Sequence, residues 1–186
     1  MRNTLKIAIV LFVLVFSNGI SAQEKTKKEL KEARKIEQQK VTESLVAAQK
    51  FVFDGIWAFP TGYRSIDLTT NPNFVTFAKD FIKSDMPFFG RATGSVPYGG
   101  GDGGLKFEGV PSEFSIQKTK KNYQLKAKVK DKNDTYTLNL TIFFDGGASL
   151  IINSNNRTSI SYSGKIIAPP VNWWKKKSLL ICHIGL

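Results

Sequence analysis

Between Glu113 and Ile167 apolar and polar side chains alternate with a period of two. Tyr123, Leu125, Ala127 and Val129 alternate with Gln124, Lys126, Lys128 and Lys130. After Asp131-Lys132-Asn133-Asp134 the pattern restarts, with Tyr136, Leu138, Leu140, Ile142 and Phe144 set against Thr135, Thr137, Asn139 and Thr141. Asp145-Gly146-Gly147 turns the chain into Ala148, Leu150 and Ile152, although Ile151 breaks the polar face there. Beyond Ser154-Asn155-Asn156-Arg157, Ile160, Tyr162 and Ile166 alternate with serines and Lys165. This period places one set of side chains on a buried face and the other in water. The separators are short and rich in Gly, Asn and Asp, which accept the left-handed backbone of a tight hairpin. Short connections force antiparallel neighbours, so this half reads as a β-meander.

Residues 51–83 read as further strands of less regular pattern. Phe51, Phe53, Ile56 and Trp57 flank Asp54-Gly55, and Pro60-Thr61-Gly62 ends the segment. Ile66 and Leu68 alternate across Asp67, and Asn71-Pro72-Asn73 breaks the chain again. Phe74 to Ile82 reads as two short strands turning near Lys79-Asp80 in preference to a helical turn. Leu105 and Phe107, alternating with Lys106 and Glu108, read as one more strand. Roughly seven to nine strands at this spacing predict a mostly β domain over residues 51–167, an antiparallel meander forming a sandwich or lipocalin-like barrel.

The amino-terminal 50 residues differ. Arg2 and Lys6 precede the unbroken apolar run Ile7 to Phe16, and Ser17-Asn18-Gly19 and Ile20-Ser21-Ala22 follow. A charged start, an apolar core and a small-residue exit are the parts of a secretory signal, here residues 1–22. The run is too short to span a bilayer, which takes about 20 apolar residues, and no cysteine follows it to carry a lipid anchor. The expected location is therefore the periplasm or the exterior. Residues 23–50 lack Gly and Pro and are rich in Lys, Glu, Gln and Ala, predicting a basic helical leader that docks only from about Val41. Residues 168–186 form a tail in which Trp173-Trp174 stands beside Lys175-Lys176-Lys177; membrane contact there is disfavoured.

The net charge of +12 is dispersed over all these segments, with fourteen basic and ten acidic side chains between residues 51 and 174. No phosphate-binding stripe follows from it, and no nucleic-acid partner is expected. One cysteine, Cys182, excludes an intrachain disulfide, and the single histidine, His183, leaves no Cys/His metal site. Gly99, Gly101 and Gly104 have the G-x-G-x-x-G spacing, but a strand follows them where a nucleotide site needs a helix. No cofactor is expected. The carboxylates Asp80, Asp131, Asp134 and Asp145 fall at predicted turns. Asp54, Asp67, Asp102, Glu108 and Glu113 remain as candidates for a carboxylate-dependent hydrolase, the least favoured reading.

Pro87-Phe88-Phe89-Gly90-Arg91-Ala92, Pro97-Tyr98-Gly99-Gly100-Gly101 and Gly104-Leu105-Lys106-Phe107 resemble the centre of domain-of-unknown-function family 4251. Asp134-Thr135-Tyr136, Ser154-Asn155-Asn156-Arg157 and Ile160-Ser161-Tyr162-Ser163-Gly164 resemble its closing strands, and the likeness runs roughly from Val41 to Ile167. The resemblance implies an exported protein of Gram-negative bacteria, frequently lipid-anchored, and supplies no catalytic residues. The missing anchor cysteine departs from that pattern. The expected function is a non-enzymatic ligand-binding module of the cell envelope, with Arg91, Tyr98, Asp102, Asn156 and Arg157 as binding residues, because loops on a rigid scaffold carry binding. The alternative is an envelope structural or protein-interaction partner that uses the helical leader.

Overall fold

The structure, a computed structural model, describes residues 19–70, 73–92, 103–131 and 134–170, with backbone alone for 19–25. The apolar run Ile7 to Phe16, Tyr98, Asp102 and the tail from residue 171 lie outside them. Helix α1 (Gly19–Ala48) follows the Gly- and Pro-free, Lys/Glu/Ala-rich stretch. It ends at Gln49, whose left-handed backbone (φ 52°) returns its N–H to the Val46 carbonyl at 3.0 Å, a helix stop usually filled by glycine. The chain divides between Lys40 and Val41 into two units. In the first, residues 26–40 of α1 are all exposed. In the second, Thr42 and Val46 are buried, and Val46 joins the core. Among the described residues no helix is long and apolar enough to cross a membrane.

The second unit is one antiparallel sheet. Its strands are β1 (Lys50–Pro60), β2 (Ile66–Asp67), β3 (Phe74–Ala78), β4 (Phe81–Met86), β5 (Leu105–Gly109), β6 (Pro111–Lys118), β7 (Asn122–Lys130), β8 (Thr135–Phe143), β9 (Gly147–Ser154) and β10 (Ile160–Ile167). The spatial order is β5-β4-β3-β1-β10-β9-β8-β7-β6, with β2 alone beside β1. The ends of that order are joined in sequence. Residues 105–118 form one segment, interrupted only at Val110, that pairs with β4 through β5 and with β7 through β6. The sheet is thereby nearly closed into a barrel, the second of the two expected architectures. Among the described residues the strands number ten, one above expectation, and β2 has only two residues.

Strands β7 to β10 follow the alternation residue by residue. Tyr123, Leu125, Ala127 and Val129 of β7 are buried, as are Tyr136, Leu138, Leu140 and Ile142 of β8, Ala148, Leu150 and Ile152 of β9, and Ile160, Tyr162 and Ile166 of β10. Phe74 to Met86 is the expected strand–turn–strand, turning at Lys79-Asp80. β1 is one eleven-residue strand where the pattern suggests a break at Asp54-Gly55. Its register against β10 slips between Gly55 and Trp57. This bulge at Ile56 switches the inward set from Phe51 and Phe53 to Ala58, leaving Trp57 and Phe59 exposed. The two strands approach closely at that point. A Cβ on Gly164 would lie 2.0 Å from the Asp54 carbonyl oxygen, so only glycine fits.

Side chains from both halves of the sheet fill the interior, Phe51, Phe53, Phe77, Ile82, Met86, Leu138, Leu150 and Tyr162 among the largest with no appreciable exposure. One end is covered by the last turns of α1. There Glu43 accepts from Lys118 at 2.9 Å and from the Tyr123 hydroxyl at 3.5 Å.

Candidate functional site

At the opposite end of the barrel lie residues 87–92 and 103–104 of the β4–β5 connection, Asp131 and Asp134 of the β7–β8 connection, and residues 155–159 between β9 and β10. Asp134 ties the last two together. Its carboxylate accepts from the Thr135 N–H at 2.7 Å, the Asn155 N–H at 3.0 Å and the Ser154 hydroxyl. The Ser154 oxygen in turn accepts the Asn156 N–H at 3.1 Å. A short acidic side chain that satisfies turn N–H groups is the role expected of Asp at this position.

The turn so held also grips the long connection at both ends. On the entering side, Ala92 bridges Arg157, the Thr158 N–H donates to the Arg91 carbonyl at 3.0 Å, and the Arg91 N–H donates to the Thr158 hydroxyl at 3.2 Å. On the leaving side, Arg157 Nη1 donates to the carbonyls of Gly103 at 3.2 Å and Gly104 at 2.9 Å. Its guanidinium lies 5.2 Å from the centre of the Phe88 ring, a cation–π contact. Gly104 runs beside β4 so closely that a Cβ there would sit 2.7 Å from the Met86 carbonyl oxygen.

Aromatic rings floor this end. Phe107 and Tyr136 stack with centroids 4.0 Å apart and planes 10° from parallel. The Tyr162 hydroxyl donates to the Pro87 carbonyl at 2.7 Å. Burial raises both phenols above the usual range, Tyr162 the more strongly; Asp134 adds to the effect at Tyr136, and Arg157 opposes it at both. Neither phenol is therefore a base near neutral pH.

Of the expected binding residues, the structure brings Arg91, Asn156 and Arg157 together around one turn. Tyr98 and Asp102 are outside the described residues. Arg157 is engaged with the chain itself, which gives it a holding role. The alternation does not mark Phe107 or Tyr136 as parts of this end; both read only as strand positions, and their mutual contact has no local signature. Among the described residues, the acidic candidates each engage a different partner. Asp54 faces Lys165 at 3.8 Å, Asp67 caps Thr69, Glu108 pairs with Lys83 at 2.9 Å, and Glu113 reaches Lys128 at 4.0 Å. Among the described residues, no three His, Cys, Asp or Glu side chains are placed to hold a metal ion.

Residues 33–166 match the domain of unknown function DUF4251, a span from the middle of α1 to the penultimate residue of β10. The chain belongs to this family. A crystal structure of a DUF4251 family protein from Bacteroides eggerthii is similar, with a TM-score of 0.56 and 20% identity over 70% of this chain and 87% of that one. At that identity the likeness is one of fold. No curated protein matches the chain. The DUF4251 match covers both the closing segment 105–118 and the gripping turn 154–158, so the barrel and its braced end lie inside the shared domain.

Proposed function

We propose that the protein is a non-enzymatic ligand-binding module of the cell envelope, periplasmic or secreted, that meets its ligand at the barrel end formed by residues 87–92, 103–104 and 154–158. The observation that carries this reading is the grip of one turn on both ends of the long 87–104 connection. Residues 87–92 and 103–104, braced in this way, offer their groups in a fixed arrangement, which lowers the ordering cost of binding. The described residues of this end carry Arg91 and Arg157 together with Asp131 and Asp134, while the interior is occupied by core side chains. The carboxylates, each engaged locally on a different strand, favour binding over hydrolysis. Export rests on the charged, apolar and small-residue order of residues 1–22.

Nuclear magnetic resonance of the labelled full chain, titrated with pools of peptidoglycan fragments, sugars, amino acids and fatty acids, tests the proposal. Amide shifts should cluster at residues 87–92, 103–105 and 154–158 and shrink in an R91A/N156A variant. Shifts by no pool, or shifts confined to other strands, overturn it.

A second reading, an interaction partner that works through the leader, is favoured by one observation. Leu30, Ile36 and Val41 of α1 are 57%, 56% and 53% exposed on a helix that otherwise carries charge. Deleting residues 23–40 should then abolish association with envelope proteins while the far-UV spectrum of the sheet persists. Unchanged pull-downs reject that reading.

A further inference from the structure

The outer face of β6, β7 and β8 carries a depression of about 350 Å³. Its rim and floor present Ser115 and Gln117 from β6, Gln124 and Lys126 from β7, and Asn139 and Thr141 from β8. The register makes these six one array. Gln117 pairs with Gln124 and Gln124 with Thr141, while Ser115 pairs with Lys126 and Lys126 with Asn139. Two rows of three hydrogen-bonding side chains thus lie side by side, on strands spaced about 4.8 Å apart. Five of the six are uncharged amides or hydroxyls that both donate and accept, as sugar hydroxyls do.

Basic side chains outnumber acidic ones around this array, with Glu113 on the same face and Lys118 paired to Glu43 at 2.9 Å. Lys126, Lys128 and Lys130 point outward from β7 at successive two-residue steps, roughly 7 Å apart, and Lys118, Lys120 and Lys121 stand at the adjoining turn. The only carboxylate of the hairpin over residues 111–130 is Glu113, which reaches Lys128 at 4.0 Å. Among the described residues, Lys126 has no carboxylate within ion-pair distance.

From this arrangement we infer a second binding site, on the β6–β7–β8 face, for an acidic oligosaccharide whose hydroxyls meet the amide and hydroxyl rows and whose carboxylates meet the β7 lysines. The array contains no aromatic side chain, which disfavours single-stranded nucleic acid, a ligand that binds by stacking. Its concavity and polarity disfavour a bilayer, which takes apolar side chains. The site is independent of the gripped barrel end.

The test is calorimetric titration of the full chain with hexagalacturonate and with a hyaluronan hexasaccharide. The methyl ester of hexagalacturonate, a single-stranded DNA dodecamer and phosphatidylglycerol vesicles serve as comparisons. At least one acidic sugar should bind; K126A and K126Q should each weaken it by about tenfold, the loss of one hydrogen bond to a charged group, and Q124A by about fivefold, the loss of a neutral one. K79A, on the distant β3–β4 turn, should leave affinity within about twofold, since exposed charges farther apart than a Debye length are screened. The ester should bind more weakly than the acid. Thermal unfolding of each variant reports that it is folded. Failure of both acidic sugars, equal weakening by K79A, or DNA or vesicle binding with the same sensitivity to K126A overturns the inference.

Discussion

Strands β6 to β10 and strands β1 to β5 reach the same core by different means. In the first set, turns of a few residues join strands whose inward positions never change parity from β7 to β9. In the second set, parity is switched by a bulge, one strand has two residues, and an 18-residue connection separates β4 from β5. The first set is held by a rule repeated at every step. The second is held by single contacts that nothing else replaces: glycine at 164, Arg157 on the carbonyls of Gly103 and Gly104, and the Phe107–Tyr136 stack. Irregular backbone is where a sheet acquires surfaces other than pleats, and the gripped end lies there.

That contrast can be broken experimentally. The largest effect is expected where the two sets join. Replacing Gly164 with Val forces β1 and β10 apart and should cost roughly 4 kcal/mol or leave no folded product, read by urea denaturation. A cost below about 1 kcal/mol would mean that the join yields without penalty. Leu138→Ala, in the regular set, should cost about 3 kcal/mol by leaving a cavity, with protection lost evenly across the sheet. Arg157→Met keeps most of the bulk over Phe88 and removes the two hydrogen bonds, for about 1–2 kcal/mol. Its signature is regional: amides of residues 103–105 should exchange faster while those of 136–142 stay protected. Equal loss in both places would erase the proposed difference between the sets.

The smallest effect is expected at the α1 end. The Lys118 hydrogen bond, then its charge, holds the Glu43 carboxyl below its ordinary 4.5, and the same contact holds Lys118 above its ordinary 10.5. Glu43 therefore contributes stability above the unfolded-state value, and that contribution is lost as pH falls through its lowered folded value. The Lys118 contribution is complete below 10.5 and is lost as pH rises through its raised folded value. Both side chains are more than half exposed, so solvent screens the pair. Glu43→Gln should lower the melting temperature slightly at pH 7, and the two proteins should converge once Glu43 of the parent is protonated. A difference that persists in acid would assign the effect to packing.

How legible each part was follows from the range of its causes. The inward faces of β7, β8, β9 and β10 are written in neighbours two apart, and every buried position there is one the alternation picks. β1 defeats the same reading because Ile56, an ordinary apolar residue, is the bulged one, and what forces the bulge is the neighbouring strand. The choice of barrel over sandwich depends on residues 105–118, which pair with β4 before Val110 and with β7 after it; no periodicity encodes which partners they take. At the gripped end, Arg91 and Asn156-Arg157 stand out singly as loop residues. That they meet, and that the Arg157 guanidinium turns inward onto Gly103 and Gly104, depends on pairing across more than fifty residues.

The β1–β10 seam also bears on the speed of folding. Its partners, from Pro60 with Ile160 to Val52 with Ile167, are a hundred residues or more apart along the chain. Bringing them together restricts the intervening loop before any contact compensates, and chains dominated by such distant pairings fold on slow timescales. Of the described strands β10 is synthesised last, so a nascent chain holds β1 with one edge and its backbone groups unpaired until β10 emerges.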